Sequence, residues 1–214
     1  MMKLFNRQPK PVDLTDLSDT ELVERAKTSK EAFGALYERY VEKIYRYIYY
    51  RTGNHHDAED LTAGVFFRAM GHIENYTERG VPFQAWLYRI AHNLVANWHR
   101  DQGRRKIIPL DEFVGLGMAF EAPDTAAEDK EEREQLMMAV DHLPEERQQL
   151  LYLKFIAQLS NAEVGEILGR TEGAIKSLYH RTLLTLRDDI EMQRASRQGS
   201  AAPELKSKRL KNDS

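Results

Sequence analysis

Residues 83–100 read FQAWLYRIAHNLVANWHR, and the prediction of the fold starts from them. At the period of an α-helix, one face carries apolar side chains, namely Phe83, Leu87, Ile90, Leu94 and Trp98. Another face, at steps of three and four, carries Arg89, His92, Asn93, Asn97 and Arg100. Pro82 precedes the run, where its fixed φ favours the start of a helix. The pattern predicts an amphipathic helix.

The polar face of this helix allows two interpretations. Arginine pairs with phosphates, asparagine can hydrogen-bond a base edge, and aromatic rings can stack on unpaired bases, so the face suits nucleic acid. An ordinary core helix also has a solvated polar face. The segment alone leaves both interpretations open.

The overall composition is that of a globular protein. With 214 residues, 42% of them hydrophobic and 30% charged, the chain is long enough for one or two small domains. The net charge of −3 does not indicate a nucleic-acid partner, so local charge is the better guide. The absence of cysteine excludes disulfides, thiolate nucleophiles and cysteine zinc sites. No apolar run approaches the ~20 residues that span a bilayer, and no signal-peptide core follows Met1, which predicts a cytoplasmic protein without membrane insertion.

The N-terminal half contains two further helix patterns after a loose leader at residues 1–17. Ser18 and Glu21 form a capping box that opens a short helix. A longer tyrosine-rich pattern begins at Lys30 and stops at Gly53, a predicted C-cap. A stripe of this kind is more often core than a stacking platform, and we interpret it as core.

Residues 55–60 read HHDAED and are the densest group of potential metal ligands. Neighbouring residues fan out around a helix axis, so they cannot all converge on one ion, and no metal site is predicted. Asp57 is predicted instead as an N-cap, with Glu59 and Asp60 in the first turn, where the helix dipole favours acids. The helix is expected to reach Gly71. Its acidic start is either a docking surface for a basic partner or a solvated end.

The composition changes sharply after Lys106. Residues 107–129 contain no lysine or arginine but several acids, glycines and prolines, which is typical of an acidic, flexible linker. This linker, placed at residues 107–128, separates an N-terminal helical domain (18–106) from a C-terminal one (129–192). A small, polar and basic tail follows at residues 193–214 and is predicted to be disordered.

The C-terminal half contains the pattern of a helix-turn-helix. Ser160 opens a capping box, Gly169 permits a tight turn, and Thr171 caps the next helix. Packing of Ile175 and Leu178 inward leaves a polar set facing outward: Arg170, Thr171, Glu172, Gly173, Lys176, Ser177, His180 and Arg181. In such motifs the N-terminal half of the second helix enters the major groove. A helical hairpin without a DNA role remains the alternative.

Three segments, in this order, resemble a bacterial RNA polymerase sigma factor of the sigma-70 family, extracytoplasmic-function (ECF) group. DAEDL at 57–61 with VFFRA at 65–69 is similar to the family's core-polymerase-binding helix. FQAWLYRIAHN at 83–93 is similar to its promoter-melting segment. Residues 143–148 together with 159–181 resemble its upstream-element domain. The resemblance covers residues 17–189.

The resemblance implies an all-α fold with two helical domains, a region 2 bundle and a region 4 helix-turn-helix, joined by the acidic linker. It implies a transcription initiation subunit rather than an enzyme, with no catalytic residue, cofactor or metal of its own. The implied partners are core RNA polymerase, promoter DNA and an anti-sigma factor. The residues implied to bind core polymerase are Asp57, Glu59, Asp60, Leu61 and Phe66. The residues implied to contact minus-ten DNA are Tyr76, Arg79, Trp86, Arg89, His92, Asn93, Asn97 and Arg100. The residues implied to contact minus-thirty-five DNA are the outward set of the helix-turn-helix, from Arg170 to Arg181.

The chain departs from the family pattern at two places. Ala63-Gly64 stands where the family usually has Gln-Glu, and Gly64 costs the helix about 1 kcal/mol relative to alanine. Leu178-Tyr179 stands where Arg-Leu is usual, which removes an expected phosphate contact.

Two other functions are the alternatives that the sequence offers. A helix-turn-helix regulator that binds duplex DNA without polymerase explains residues 160–187 but leaves the polar face of residues 83–100 unused. A hydrolase using residues 55–60 is disfavoured by the geometry of that cluster.

Overall fold

A computed structural model describes residues 13–78, 80–102 and 127–200 of the chain. Within these residues the structure is helical and contains no strand, which confirms the predicted all-α class. The α-helices are α1 (Asp19–Ala26), α2 (Lys30–Thr52), α3 (His55–His72), α4 (Phe83–Gln102), α5 (Ala127–Asp141), α6 (Glu145–Leu151), α7 (Asn161–Leu168) and α8 (Glu172–Ser200). Short 3-10 turns lie at Leu14–Asp16 and Ile73–Asn75, and a π-helical turn follows α6 at Tyr152–Ile156.

Both predicted capping boxes are confirmed. In the first, the Glu21 amide donates to Ser18 Oγ at 3.3 Å and the Ser18 amide donates to Glu21 Oε2 at 3.0 Å. In the second, at the start of α7, the Ser160 amide donates to Glu163 Oε2 at 2.5 Å. Each box satisfies two backbone donors that a helix start would otherwise leave unpaired. These starts are therefore determined by local sequence.

The start of α3 differs from the prediction. Gly53 ends α2 in the left-handed region (φ 62°), and the next residue, Asn54, is extended and acts as the N-cap. Its Oδ1 atom accepts from the Asp57 amide at 3.2 Å. The prediction that Asp57 is the N-cap is wrong, because the chain re-enters a helix at once after Gly53 and leaves Asp57 within the first turn.

The buried face of α4 is wider than the predicted apolar stripe. Phe83 and Leu87 are buried as expected, but Tyr88, Ala91 and Val95 are buried too. The remaining members of the predicted stripe are only partly buried: Ile90, Leu94 and Trp98. The physical reason is that α4 contacts α2, α3 and α7, so more than one side of the helix is covered.

The two predicted helical units are present, and they pack against each other. The N-terminal unit consists of α1–α4 and the C-terminal unit of α5–α8, and one buried apolar cluster includes residues of both. Tyr50 of α2 stacks on Tyr152 of the C-terminal unit with ring centroids 5.0 Å apart. Most of the predicted linker lies outside the described residues, although Ala127 and Glu128 already belong to α5.

Two boundaries in the C-terminal unit differ from the prediction. The helix that begins after Pro144 ends at Leu151 and continues as the π-helical turn, whereas an α-helix to about Ala157 was predicted. α8 extends to Ser200, so residues 193–200, predicted to be disordered, are helical. Packing of α5 along α8 holds the first of these residues, since Arg194 Nε donates to Gln135 Oε1 at 3.2 Å. Residues 201–214 of the predicted tail lie outside the described residues.

Candidate nucleic-acid and polymerase interfaces

The outer face of α3 combines acidic and apolar side chains. Glu59 and Asp60 are exposed near its start, while Phe67 is 73% exposed and Met70 is 49% exposed. Phe67 follows Asp60 by seven residues and Met70 follows Phe67 by three, so these side chains share one side of the helix. We call Glu59, Asp60, Phe67 and Met70 the α3 surface.

The structure changes which residues of α3 are available to a partner. Phe66, predicted to contact polymerase, is only 4% exposed and packs edge-on against Tyr37 with ring centroids 4.8 Å apart. Leu61 is partly buried, and Asp57 accepts a hydrogen bond from Trp98 Nε1 at 3.3 Å. Sequence reasoning missed Phe67, although the buried positions Ala58, Thr62, Val65 and Ala69 repeat at helical spacing and leave residue 67 outside.

The two histidines at the start of α3 diverge. His55 stacks on Tyr49 at 4.2 Å, and its Nδ1 atom lies 2.6 Å from the Tyr45 hydroxyl. His56 is exposed and its Nδ1 atom lies 3.9 Å from Glu59 Oε2. In the part of the chain that the structure describes, no group of three or more His, Asp or Glu side chains is arranged to hold a metal ion.

Two aromatic residues of the predicted minus-ten site support the turn before α4. Tyr76 is 8% exposed and its hydroxyl donates to the Val81 carbonyl at 2.8 Å. Its ring lies 4.8 Å from that of Trp86, which is itself partly buried against the core. In this structure the Tyr76 ring anchors the turn to the helical bundle, and its assignment to minus-ten DNA stays a prediction. Arg79 lies outside the described residues.

The polar face of α4 is divided between solvent and the C-terminal unit. Asn93 and Arg100 are exposed, and Arg100 Nη2 donates to Asn97 Oδ1 at 3.0 Å. Arg89 Nη1 instead lies 3.4 Å from Glu166 Oε2 of α7. His92 Nδ1 lies 2.7 Å from Gln149 Nε2 of α6. The C-terminal unit therefore engages two of the residues predicted to contact minus-ten DNA.

His92 is held in its neutral form by its surroundings. Burial lowers the pKa of the imidazole to about 4, and the nearby guanidinium of Arg51 acts in the same direction, while Glu145 partly opposes them. A neutral ring can accept a hydrogen bond at Nδ1, where the Gln149 amide nitrogen lies. The same amide nitrogen donates to the Tyr47 hydroxyl at 2.6 Å. This network joins the two units through hydrogen bonds without a charge on His92.

The helix-turn-helix has the predicted geometry. Gly169 ends α7 in the left-handed region (φ 66°), and Thr171 Oγ1 accepts from the Ala174 amide at 3.2 Å. All eight residues of the predicted outward set are exposed, from Arg170 to Arg181. Arg170 also forms an ion pair with Glu146 of α6. Leu178, where a phosphate-contacting arginine is usual in the family, is 7% exposed and packs inward.

Comparison with known proteins identifies the family. Sigma-70 region 2 matches residues 36–105, and Sigma-70 region 4 matches residues 133–186. The ECF RNA polymerase sigma factor SigW of Bacillus subtilis is 30% identical over 175 residues, covering 77% of this chain and 91% of SigW. The chain belongs to the ECF sigma factors. The resemblance inferred from the motifs is thereby confirmed.

This ECF sigma factor is also similar to one further relative in sequence and to one solved structure in fold. BldN of Streptomyces coelicolor, also an ECF sigma factor, is 39% identical over 167 residues, which cover 78% of this chain and 63% of BldN. The sigma factor RpoE of Bartonella quintana, solved in complex with the anti-sigma factor NepR, aligns with a TM-score of 0.54 at 19% identity, covering 75% of this chain and 98% of that one. At that identity RpoE supports the fold alone.

None of the described helices is both long enough and apolar enough to cross a membrane.

Proposed function

We propose that this ECF sigma factor binds core RNA polymerase, directs it to specific promoters and helps to melt the minus-ten element. The observation that carries the proposal is the order of the two family matches. Region 2 falls on the unit that contains α3 and α4, and region 4 falls on the unit that contains the helix-turn-helix. The protein would supply recognition and strand separation in the cytoplasm, while the polymerase performs the chemistry.

The α3 surface is the proposed docking site for core polymerase. Two large apolar side chains, Phe67 and Met70, stand in solvent beside the carboxylates of Glu59 and Asp60. Such a combination suits an amphipathic, basic helical partner, since the apolar groups gain from burial and the acids pair with cations. In the family this helix grips the coiled coil of the polymerase clamp, and we propose the same contact here.

Three residues of the α4 polar face form the proposed minus-ten site: Asn93 and Arg100, which are exposed, and Asn97, which is half-buried. Asn93 and Asn97 provide amides that can hydrogen-bond an unstacked base, and Arg100 provides a cation for the adjacent phosphate. In this structure Arg89 is paired with Glu166 and His92 lies against Gln149, so both become free to contact DNA only when the C-terminal unit moves away. Promoter melting would therefore require the two units to separate.

The second helix of the helix-turn-helix is the proposed reader of the minus-thirty-five element. Lys176 and Arg181 are exposed on α8, and Ser177 and His180 lie on the same outward side. Cations in this position neutralise phosphates of the duplex, while short polar side chains near the helix start can reach base edges. The packing of Leu178 and Ile175 fixes the angle at which this face is presented.

Reconstituted transcription tests the proposal directly. The purified full chain is mixed with core RNA polymerase and a promoter library, and the RNA start sites are sequenced. Discrete, chain-dependent start sites are expected. Binding of folded protein to promoter duplex without any association with core polymerase would instead support a regulator that acts alone.

Three variants, with one control, separate the proposed surfaces. Phe67→Ala is expected to weaken polymerase binding, whereas Met192→Ala, at a side chain 67% exposed on α8, serves as the control for losing an exposed apolar group. The double change Asn93→Ala and Asn97→Ala should slow open-complex formation with polymerase binding near normal. Lys176→Ala should weaken duplex binding. It should also reduce the slope of log binding constant against log salt concentration by about one, because one fewer counterion is released. Equal loss of every activity in all three variants would contradict the assignment.

An anti-sigma factor is a further proposed partner. It follows from the family resemblance, and RpoE of Bartonella quintana was solved with such a partner. Co-purification of the tagged chain from its native host, followed by release of polymerase-dependent transcription when the captured protein is removed, would identify it.

A further inference from the structure

Glu172 is the one acid in the outward set of the helix-turn-helix. It is the first residue of α8, and it is exposed. In such motifs the N-terminal residues of the second helix contact base edges in the major groove. A carboxylate at this position is repelled by the phosphates of the duplex. Glu172 therefore weakens binding to DNA in general unless a base compensates for the repulsion.

The nearby cations do not neutralise Glu172 in this structure. Arg170, two positions earlier, forms an ion pair with Glu146 of α6. Lys176, one helical turn later, is exposed, and no ion pair joins it to Glu172 among the described residues. An acid in the first turn also interacts favourably with the helix dipole, which gives Glu172 a structural role in any case. A test therefore has to measure base preference, which a purely structural role would leave unchanged.

Gly173 lets the start of α8 come close to a partner. A Cβ atom at this position would meet nothing within 4 Å, so the space outside Gly173 is open. Where no side chain intervenes, the backbone of a helix can approach a ligand closely. The side chain of Glu172, which is next in sequence, can then reach the base edges of the groove.

The chemistry of the base edges selects one base for a carboxylate. In the major groove, cytosine presents its N4 amine as a donor, whereas guanine presents two acceptors and thymine presents an acceptor and a methyl group. Adenine presents its N6 amine beside the N7 acceptor, and this pair matches an amide rather than a carboxylate. Because a carboxylate only accepts hydrogen bonds, cytosine is its best match.

Ser177, a short polar side chain on the same outward face, discriminates less between bases. Its Oγ atom donates to the Gly173 carbonyl at 3.0 Å, which leaves only its lone pairs for a base. A neutral oxygen can accept from the amine of adenine or of cytosine, because the N7 atom of adenine repels it only weakly. The charge of Glu172 makes it the more selective acceptor of the two.

Given the proposed function, on which this inference rests, we propose that Glu172 accepts a hydrogen bond from N4 of a cytosine and so determines a C·G pair at one position of the minus-thirty-five element. Guanine and thymine place an acceptor oxygen opposite the carboxylate, and adenine places N7 beside its amine. None of these bases compensates for the repulsion by the phosphates. Glu172 thus disfavours wrong sequences as well as favouring the correct one.

Competitive transcription from a set of promoter variants tests the proposal. The full chain and core RNA polymerase receive one promoter recovered with wild type, in which every base pair of the minus-thirty-five element is replaced in turn by each of the other three. Wild type should prefer cytosine at one position by about fivefold or more, the usual effect of one mismatched pair. Glu172→Ala should reduce this preference to less than about twofold, and Glu172→Gln should shift it to adenine, because an amide matches N6 and N7 of adenine.

Glu191→Gln is the matched control for the loss of a negative charge. It changes an exposed acid further along α8, which lies 3.9 Å from Arg187, and it should keep the wild-type preference at every position. Glu172 is exposed, so we expect its variants to remain folded, and circular dichroism checks this. A change in helix stability alone would lower the yield from all promoter variants by the same factor.

Three results would overturn the proposal. The first is an unchanged preference for cytosine in folded Glu172→Gln, and the second is a wild-type element in which no position prefers cytosine. The third is loss of transcription from every promoter variant in folded Glu172→Ala and Glu172→Gln, since Glu172 would then be needed for binding and not for the choice of base. If wild type starts RNA synthesis at no discrete site, the proposed function itself is contradicted and this inference falls with it, so the two failures are distinguishable.

Discussion

Gly165 is the residue at which the helix-turn-helix depends on the lack of a side chain. A Cβ atom at this position would lie 2.6 Å from the carbonyl oxygen of Arg170, a backbone atom that cannot rotate away. The Arg170 amide also donates to the Gly165 carbonyl at 2.9 Å, which holds the turn close to α7. Gly165→Ala should therefore destabilise the protein by roughly 1–3 kcal/mol, the usual cost of overpacking. Urea unfolding followed by circular dichroism measures the change.

Gly173 provides the matched control for this substitution. It lies in the first turn of α8, and a Cβ atom there would meet nothing within 4 Å. Gly173→Ala is expected to be neutral or to stabilise the protein by up to about 1 kcal/mol through helix propensity. Similar losses in both variants would mean that the close approach of the Arg170 carbonyl is not what makes Gly165 necessary.

At the residue scale, the sequence predicted what local chemistry determines. Gly169 and Thr171 act within their own turn, so their roles could be predicted from the type of residue and its position. Gly165 could not be singled out, because its restriction comes from the backbone on the far side of the turn. The choice between Phe66 and Phe67 also required knowledge of which side of α3 meets Tyr37.

Gly64 lowers the intrinsic stability of helix α3. The residue is partly buried in the middle of the helix, and a Cβ atom there would lie 3.7 Å from Leu94 Cδ1, an ordinary van der Waals distance. Gly64→Ala should raise the free energy of unfolding by about 0.5–1 kcal/mol, because alanine restricts the unfolded chain and favours the helix. The midpoint of urea unfolding should increase with an unchanged slope.

Gly71, near the end of the same helix, gives the comparison for Gly64. It also has room for a Cβ atom, but it belongs to the last turn, where helices fray. Gly71→Ala should therefore stabilise the protein less than Gly64→Ala does. A loss of stability in Gly64→Ala would show that the helix cannot accept even one methyl group beside Leu94.

At the element scale, helix starts were predicted better than helix ends. Ser18 and Ser160 place the starts of α1 and α7 through hydrogen bonds within three residues. The part of α8 beyond residue 190 instead makes contacts with α5, such as that between Arg194 and Gln135, which are 59 positions apart. The sequence at residue 190 contains no comparable stop signal, so the extension to Ser200 could not be inferred from it.

At the scale of the whole molecule, the packing of one unit on the other is what the sequence did not predict. The tyrosine-rich stripe of α2 was correctly interpreted as core, but part of it packs against the other unit. Tyr47 and Tyr50 both lie against Tyr152, about a hundred residues along the chain. Such contacts depend on the tertiary arrangement and not on hydrophobic periodicity or helix capping, which are what a sequence pattern reports. The predicted flexible linker indicated only that two helical units exist.

His92 makes the stability of this arrangement dependent on pH. Its pKa is about 4 in the folded protein and about 6.5 in an unfolded chain, so the unfolded state binds more protons between these values. The contribution of the neutral ring to the free energy of unfolding is therefore fully present above pH 6.5 and is lost as the pH falls towards 4. Since the ring is only partly buried, we expect a loss on the order of 2 kcal/mol. Unfolding in urea at a series of pH values measures it.

A second variant isolates His92 from the carboxylates that titrate in the same range. His92→Asn cannot gain a proton, so the stability difference between wild type and this variant should shrink as the pH falls from 6.5 to 4. His142, which is exposed and lies 3.0 Å from Asp189, is the control position for losing an imidazole elsewhere. A difference that stays constant across this window would remove His92 as a source of the pH dependence.

The ion pair between Arg51 and Glu145 provides the sharpest test of how the two units are held together. Its atoms lie 2.6 Å apart, and the Arg51 side chain is only 5% exposed. Glu145→Gln leaves a buried guanidinium without its counter-charge, which costs roughly 3–5 kcal/mol in a closed protein. The chain can avoid that cost by separating the units and exposing Arg51 to water. We therefore expect a larger radius of gyration by small-angle X-ray scattering.

Separation would also release Arg89 from Glu166 and uncover His92, so Glu145→Gln should bind melted minus-ten DNA more tightly than wild type does in the absence of polymerase. Glu166→Gln is the matched control, because its pair with Arg89 also joins the units, but both side chains are about half exposed. Exposed pairs contribute only about 0–1 kcal/mol, so this variant should keep the wild-type radius. A larger radius of gyration in Glu166→Gln but not in Glu145→Gln would mean that the exposed ion pair, and not the buried one, holds the units together.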